Sequence, residues 1–354
     1  MEARSVLACF VVLFAFLAWS PFVSVDGLST DEKLFVSFVT KYSKAYRNDS
    51  SEYQKRFRIF KESLVRHKKL NSYRTHPQDA YFGVTRFADL TPEEFGATVL
   101  GGRATRPAAI APATKGAPEW PSLRARTRPT TVGARDIPKK YTLQGRKPAV
   151  LTKVKNQGSC GGCWAFSIVE CVETQHALLT GTLYDLSVQQ VLDCNNVTAD
   201  HGCNGGNLCD TLDWLQTSKE KIVLDKSYPY KEKWEACQEK AKVHGLVSVT
   251  NYTCTGYRDR EQDMVSMLAN HGPLLAAVDA TAFQDYMGGI IQHHCSSYDN
   301  HAVQIVGYDQ TGDVPYYIVR NSWGKDWGLQ GFLHIKIGGN LCGIANSVGS
   351  LNTS

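Results

Sequence analysis

Residues 158–167 read GSCGGCWAFS, and the roles of Cys160 and Cys163 decide what is built around them. A C-x-x-C pair supports three readings: a redox couple, two ligands of a metal ion, or a structural thiol beside a nucleophile. A redox couple of this kind opens a helix, where the macrodipole stabilises a thiolate, and it follows a βαβ pattern. No such pattern precedes residue 158, and eight more cysteines follow Cys163. A zinc set can be drawn from Cys160, Cys163, Cys203 and Cys209 with His201 or the pair His293 and His294. Zinc sites usually show a second tight pair at matching spacing, and Cys203 and Cys209 stand too far apart for one.

The compartment bears on the choice. Met1 to Arg4 precede an apolar run from Ser5 to Trp19, then Pro21 and small residues up to Gly27. A basic start, a short apolar core and small residues predict a secretory signal peptide over 1–27. The run is too short for a membrane span, and no later segment suits one, so no membrane partner is expected. Beyond it ten cysteines remain, all after residue 159, as in a disulfide-bonded protein of an oxidising compartment. Net charge is +5 over 354 residues, too mild for a nucleic-acid partner. Asn48, Asn196, Asn251 and Asn352 head glycosylation sequons.

Residues 28–104 are rich in charge and Phe. Glu52, Arg56 and Phe60 recur every four residues, as do Ser63, His67 and Asn71, which predicts an amphipathic helix. Thr91-Pro92-Glu93-Glu94 is a helix start. Residues 101–135 are Pro-, Ala-, Gly-, Thr- and Arg-rich, the composition of a linker open to proteolysis. Further helices are expected from Cys163 to Thr180, Leu186 to Asp193, Leu208 to Thr217 and Arg260 to Asn270. Strands are expected at LLAAVDA, HAVQIVGYD, PYYIVRNSW and GFLHIKI. Helices first and an antiparallel sheet second predict an α+β protein of two lobes with a groove between them.

The third reading of the pair uses Cys163 as a nucleophile. At a helix N-terminus its thiol is easier to ionise, but it still needs a base. His301 opens one strand and Asn321 ends the next, so antiparallel pairing sets them side by side. Asn cannot titrate and can only orient an imidazole. Trp323 is placed to shield that bond from water. The Cys163 N–H and the Gln157 side chain are candidate oxyanion donors.

The motifs NQGSCGGCWAFS, DLSVQQVLDC, GCNGG, SYPY, NHAVQIVGYD and IVRNSWG resemble those of the papain-family cysteine peptidases, over nearly the whole chain after residue 148. The match is closest to one cathepsin with Gly where the third motif residue is usually Ser. Glu52, Arg56, Phe60 and Asn71 resemble the family's helical propeptide motif, with Ser63 and His67 in place of the usual Asn and Ile. Gly83, Thr85, Phe87 and Asp89 resemble a second propeptide motif.

The resemblance implies a papain-like two-lobe fold behind a helical propeptide. It implies Cys163 as nucleophile, His301 as base and acid, Asn321 as orienting residue and Gln157 as oxyanion donor. It implies disulfides Cys160–Cys203, Cys194–Cys237 and Cys295–Cys342. Cys171 is expected to be a buried thiol, and Cys209 and Cys254 either pair or stay free. Gly205, Gly206, Leu208, Ala277, Ala302, Ser347 and Trp323 are the implied substrate-binding residues, with an apolar residue at P2.

The family's Asp-Trp-Arg start is replaced here by Gln144-Gly145-Arg146. The expected division is therefore propeptide 28–104, activation region 105–137 and peptidase domain 138–354. The reading is a secretory-pathway zymogen, lysosomal or extracellular, that becomes a cysteine endopeptidase without metal or cofactor. Its partners would be proteins and peptides as substrates, its own propeptide and cystatin-type inhibitors, and it would act as a monomer. The competing reading is a papain-fold binding protein that has lost activity. Its usual mark is replacement of Cys163, His301 or Asn321, and all three are present.

Overall fold

The computed structural model describes residues 29–100, 137–195, 200–239, 244–296 and 298–354. The expected signal peptide, nearly all of the activation region and Asn196 lie outside the described residues.

The front unit is helical. Helix α1 (Thr30–Lys41) starts on a capping box between Ser29 and Glu32, and α2 (Ser50–Asn71) starts on the Asp49 side chain. Phe35, Phe38 and Phe60 bury against one another between the two helices and make a small aromatic core. A two-residue strand, β1 (Tyr81–Phe82), follows, then α3 (Pro92–Thr98) with its Thr91–Glu94 capping box.

The main unit opens with β2 (Lys140–Thr142) and then α4 (Cys163–Thr180). Every residue of α4 from Cys163 to Ala177 is buried, so this helix is the centre of the fold rather than a surface stripe. Gly181, at φ +76°, ends it in the left-handed conformation that glycine adopts without strain. Next come α5 (Val188–Cys194), α6 (Leu208–Ser218) and β3 (Lys221–Ile222). After β4 (Val247–Thr255) and α7 (Glu261–Asn270) the chain turns to strands. These are β5 (Leu274–Val278), β6 (Tyr286–Gly288), β7 (Ile290–Ile291), β8 (His301–Asp309), β9 (Tyr316–Arg320), β10 (Phe332–Lys336) and β11 (Val348–Thr353).

The sheet runs β3-β4-β11-β5-β8-β9-β10-β7, with β2 also on β8. Pairing is antiparallel except between β10 and β7. The α+β class is as expected. Helix α5 begins at Val188 rather than Leu186 because the Ser187 hydroxyl accepts from Gln190 N and fixes the cap there. Strands β4 and β11, absent from the expectation, pair with each other over most of their length. One apolar cluster surrounds α4, α5 and α6, and a second lies under β5, β8, β9 and β10. The second also takes in Phe82, Phe87 and Phe95 of the front unit, so that unit is docked through a shared core.

Candidate active site

Cys163 is the first residue of α4 and is almost fully buried. Cys160 is bonded instead to Cys203, so the C-x-x-C pair is not joined to itself. Cys194–Cys237, Cys295–Cys342 and Cys209–Cys254 are also bonded. Among the described residues Cys163 and Cys171 are the free cysteines, and both are buried.

Strand β8 is tied to α4 by Gln304, whose Nε2 donates to Glu170 O and Thr174 Oγ1, both at 3.0 Å. That contact sets His301, at the start of β8, beside the start of α4, and the Ala302 N–H reaches the Cys163 sulfur. His301 Nε2 lies 2.8 Å from Asn321 Oδ1. The same oxygen accepts from Ser322 N at 2.8 Å, which fixes which end of the Asn321 amide is the carbonyl. His301 Nε2 therefore carries the proton and donates, and Nδ1 keeps its lone pair. That Nδ1 is buried with no hydrogen-bond partner. The Trp323 ring covers the imidazole, with centroids 4.7 Å apart.

Gln157 is held from both sides. Its Oε1 accepts from Ser322 Oγ at 2.6 Å and from Trp323 Nε1 at 3.1 Å. Its Nε2 is thereby turned outward and donates to Val99 O of the front unit at 2.8 Å and to Cys160 O at 2.9 Å. Burial pushes the Cys163 thiol up to about 11, against smaller lowering by N–H groups including that of Ala302. Burial also drives His301 down to about 4, against the opposing bond to Asn321. Both shifts favour the neutral form while the front unit covers the site.

Gly205, Gly206, Leu208, Ala277, Ala302 and Ser347 line one cavity of about 70 Å³ with Cys163, His301 and Leu100 of the front unit. A Cβ on Gly206 would stand 2.5 Å from the Trp164 ring, so only glycine fits there. The sequence reading missed three polar residues of this cavity, Asn207, Asp299 and Asn300. The available signal was position: Asn207 between Gly206 and Leu208, and the other two just before His301.

The front-unit motif residues all have partners. Arg56 donates to Glu52 Oε1 at 2.6 Å, Glu94 Oε2 at 2.7 Å and Asp89 O at 2.9 Å, tying α2 to the α3 turn. Asn71 exchanges two hydrogen bonds with the Phe82 backbone, at 2.7 and 2.9 Å, and so holds β1 for pairing with β6. Thr85 Oγ1 donates to Gln284 O, and Phe87 and Phe95 abut Trp323 edge-on. Asp285, 2% exposed, accepts from Arg66 at 2.6 and 2.9 Å and contacts His67 Nε2 at 3.0 Å.

His293 and His294 stand away from Cys163; the His294 ring packs on Tyr73 and Phe82. Among the described residues no group of three or more His, Cys, Asp or Glu is placed to hold a metal ion. Nor is any helix among them long and apolar enough to cross a membrane. Asn48 and Asn251 are exposed, while Asn352 is half-buried directly across the sheet from Asn251.

Residues 137–351 match the family model of the papain family cysteine proteases, and residues 35–95 match that of the cathepsin propeptide inhibitor domain. Cathepsin O of Homo sapiens is 42% identical over 294 residues, which cover 82% of this chain and 86% of that protein. Cathepsin O of Mus musculus is 41% identical, over 85% of this chain and 91% of that protein. Digestive procathepsin L 3 of Tenebrio molitor superposes with a TM-score of 0.76 at 26% identity, over 92% of this chain and 100% of that one. A recombinant stem bromelain precursor does so at 0.74 and 29% identity, over 92% and 99%.

Proposed function

The chain belongs to the papain family of cysteine proteases and is made as a zymogen with its own inhibitory propeptide, and on that premise we propose a role for each residue around Cys163. The Cys163 thiol gives its proton to His301 Nδ1. The sulfur attacks the scissile carbonyl carbon, and its oxygen gathers negative charge facing Gln157 Nε2 and the Cys163 N–H. As the C–N bond breaks, His301 passes its proton to the leaving amine, and a thioester remains on Cys163. Water then attacks the thioester while His301 takes its proton and returns it to the departing sulfur. Asn321 holds the imidazole in register throughout without titrating.

The observation that supports this best is Val99 O on Gln157 Nε2, at 2.8 Å. A carbonyl oxygen of the propeptide occupies the donor that the reaction would use. Residues 28–104 act as the propeptide, 105–137 as the activation region and 138–354 as the peptidase domain. The signal at 1–27 sends the chain into the secretory pathway, for lysosomal or extracellular use. The disulfides suit that oxidising route. The mature enzyme is a monomeric endopeptidase, open to cystatin-type inhibitors, with glycans at exposed Asn48 and Asn251.

The test is hydrolysis of an unstructured protein by the activated chain. Cys163→Ala is expected to abolish it, and Gln157→Ala to lower kcat/KM by about 10²–10³-fold. Undiminished hydrolysis by Cys163→Ala overturns the assignment.

A further inference from the structure

The cavity next to Cys163 has walls of Leu208, Ala277 and Ala302, but it is not apolar throughout: Asp299 also lines it. Asp299 stands two residues ahead of the catalytic histidine, in the segment that leads into β8. It is half-buried, and Asn346 Nδ2 donates to its Oδ1 at 3.0 Å. Ser347, the neighbour of that asparagine, lines the cavity as well. Small apolar walls with Asp299, Asn207 and Asn300 among them suit a long side chain with an apolar stem and a cationic head.

We propose that this pocket takes arginine or lysine at P2, the second residue before the cleaved bond, with Asp299 as the residue that selects it. The inference rests on the peptidase reading and on this pocket receiving P2; it replaces a purely apolar preference by a mixed one. Burial raises the Asp299 carboxyl, outweighing the lowering by Asn346 and by the charge of Arg258. A carboxylate whose charge is disfavoured by burial gains most from an arriving cation.

The chain's own activation region fits such a pocket. Between residues 101 and 136 it carries six arginines: Arg103, Arg106, Arg124, Arg126, Arg128 and Arg135. Leu, Ile and Val contribute one each: Leu123, Ile110 and Val132. Arg135 at P2 directs cleavage after Asp136, which leaves Ile137, the first residue of the matched peptidase region, as the new N-terminus.

The experiment compares two fluorogenic peptides that differ only at P2, arginine against leucine, on the activated chain and on Asp299→Asn. The readout is the ratio of kcat/KM for the two peptides. Wild type is expected to cleave the arginine peptide at least as well as the leucine peptide, and Asp299→Asn to lower the ratio by roughly tenfold or more. A wild-type enzyme that cleaves the leucine peptide and leaves the arginine one overturns the proposal while the peptidase reading stands. An unchanged ratio in Asp299→Asn overturns it too. If neither peptide is cleaved, the peptidase reading falls and the proposal with it. Should Asp299→Asn fail to fold, N-terminal sequencing of self-processed wild type decides. Ends one residue past an arginine, after Ala104, Ala125, Thr127 or Asp136, support the proposal. Ends only after Arg124 or Gly133, which follow Leu123 and Val132, refute it.

Discussion

Asp285→Asn should open the zymogen without touching the groups that react. The Asp285 carboxylate is buried at the front of β6 and receives two hydrogen bonds from the Arg66 guanidinium and one contact from His67, both on α2 of the propeptide. A charge-assisted hydrogen bond contributes about 1.5–3 kcal/mol. The Arg66 side chain is 23% exposed, so on losing its partner it regains part of its hydration, and the sum must be cut accordingly. A net loss of about 2–3 kcal/mol follows, or roughly 30- to 150-fold in the ratio of undocked to docked propeptide at 1.4 kcal/mol per tenfold. Cys163 is reached by reagents only when the cleft is open. The assay is therefore the rate of Cys163 alkylation in the intact, unprocessed chain at neutral pH, which should rise by about that factor. An unchanged rate in Asp285→Asn, with the variant folded, would show that the α2 anchor does not hold the propeptide in place.

Acid should loosen this anchor later than an ordinary carboxylate would allow. Burial would raise Asp285, but the hydrogen bonds and charges of His67 and Arg66 hold it below its usual value; Glu94 is likewise held down by Thr91, Lys55 and Arg56. A lowered carboxyl contributes fully above its ordinary pKa of about 4 and is lost as pH falls through the lowered value. Release of the propeptide, followed by tryptophan fluorescence in Cys163→Ala, should thus stay flat from pH 7 to about 4.5 and rise only below about 4; a rise centred near pH 6 would contradict it. Alkylation of Cys163 in the zymogen at high pH should climb only toward the raised value of about 11, and processing should move its midpoint downward as water returns to the cleft; identical midpoints would refute the burial argument. Asn71→Ala removes both bonds that hold Phe82 and should speed amide exchange at Phe82 by about tenfold, leaving α1 unaffected; unaltered exchange would contradict the role given to Asn71.

The pieces legible in the sequence were those governed by local rules. The capping box at Thr91, the glycine stop at Gly181 and the start of α4 are set by residues adjacent in the chain, and they fell where expected. His301 and Asn321 were placed because two strands joined by a short loop have one natural pairing. β4 was not legible: VSVTNYTCT is interrupted by Asn251 at its centre, and it is a strand because β11, about a hundred residues later, pairs with it. The Cys209–Cys254 bond depends on that same long-range packing, which brings α6 against β4. Asp285 and Asp299 were missed for a related reason. One carboxylate among 34 acidic residues is unremarkable until the fold puts Arg66 against it or a cavity beside it. The motif residues Ser63 and His67 were noticed as departures, but only the structure shows that His67 meets Asp285 and Ser63 supports Arg66.

The central claim is that Cys163 is the reactive thiol and Cys160 a structural one. It is tested most directly by brief alkylation of the processed protein at about pH 5, followed by a peptide map without reduction. A free thiol of ordinary pKa, about 8.5, is almost wholly protonated there and reacts slowly. Rapid labelling of Cys163 alone, with Cys160 recovered linked to Cys203 and Cys171 unmodified, is the predicted result. An inert Cys163, or a bond between Cys160 and Cys163, would contradict it.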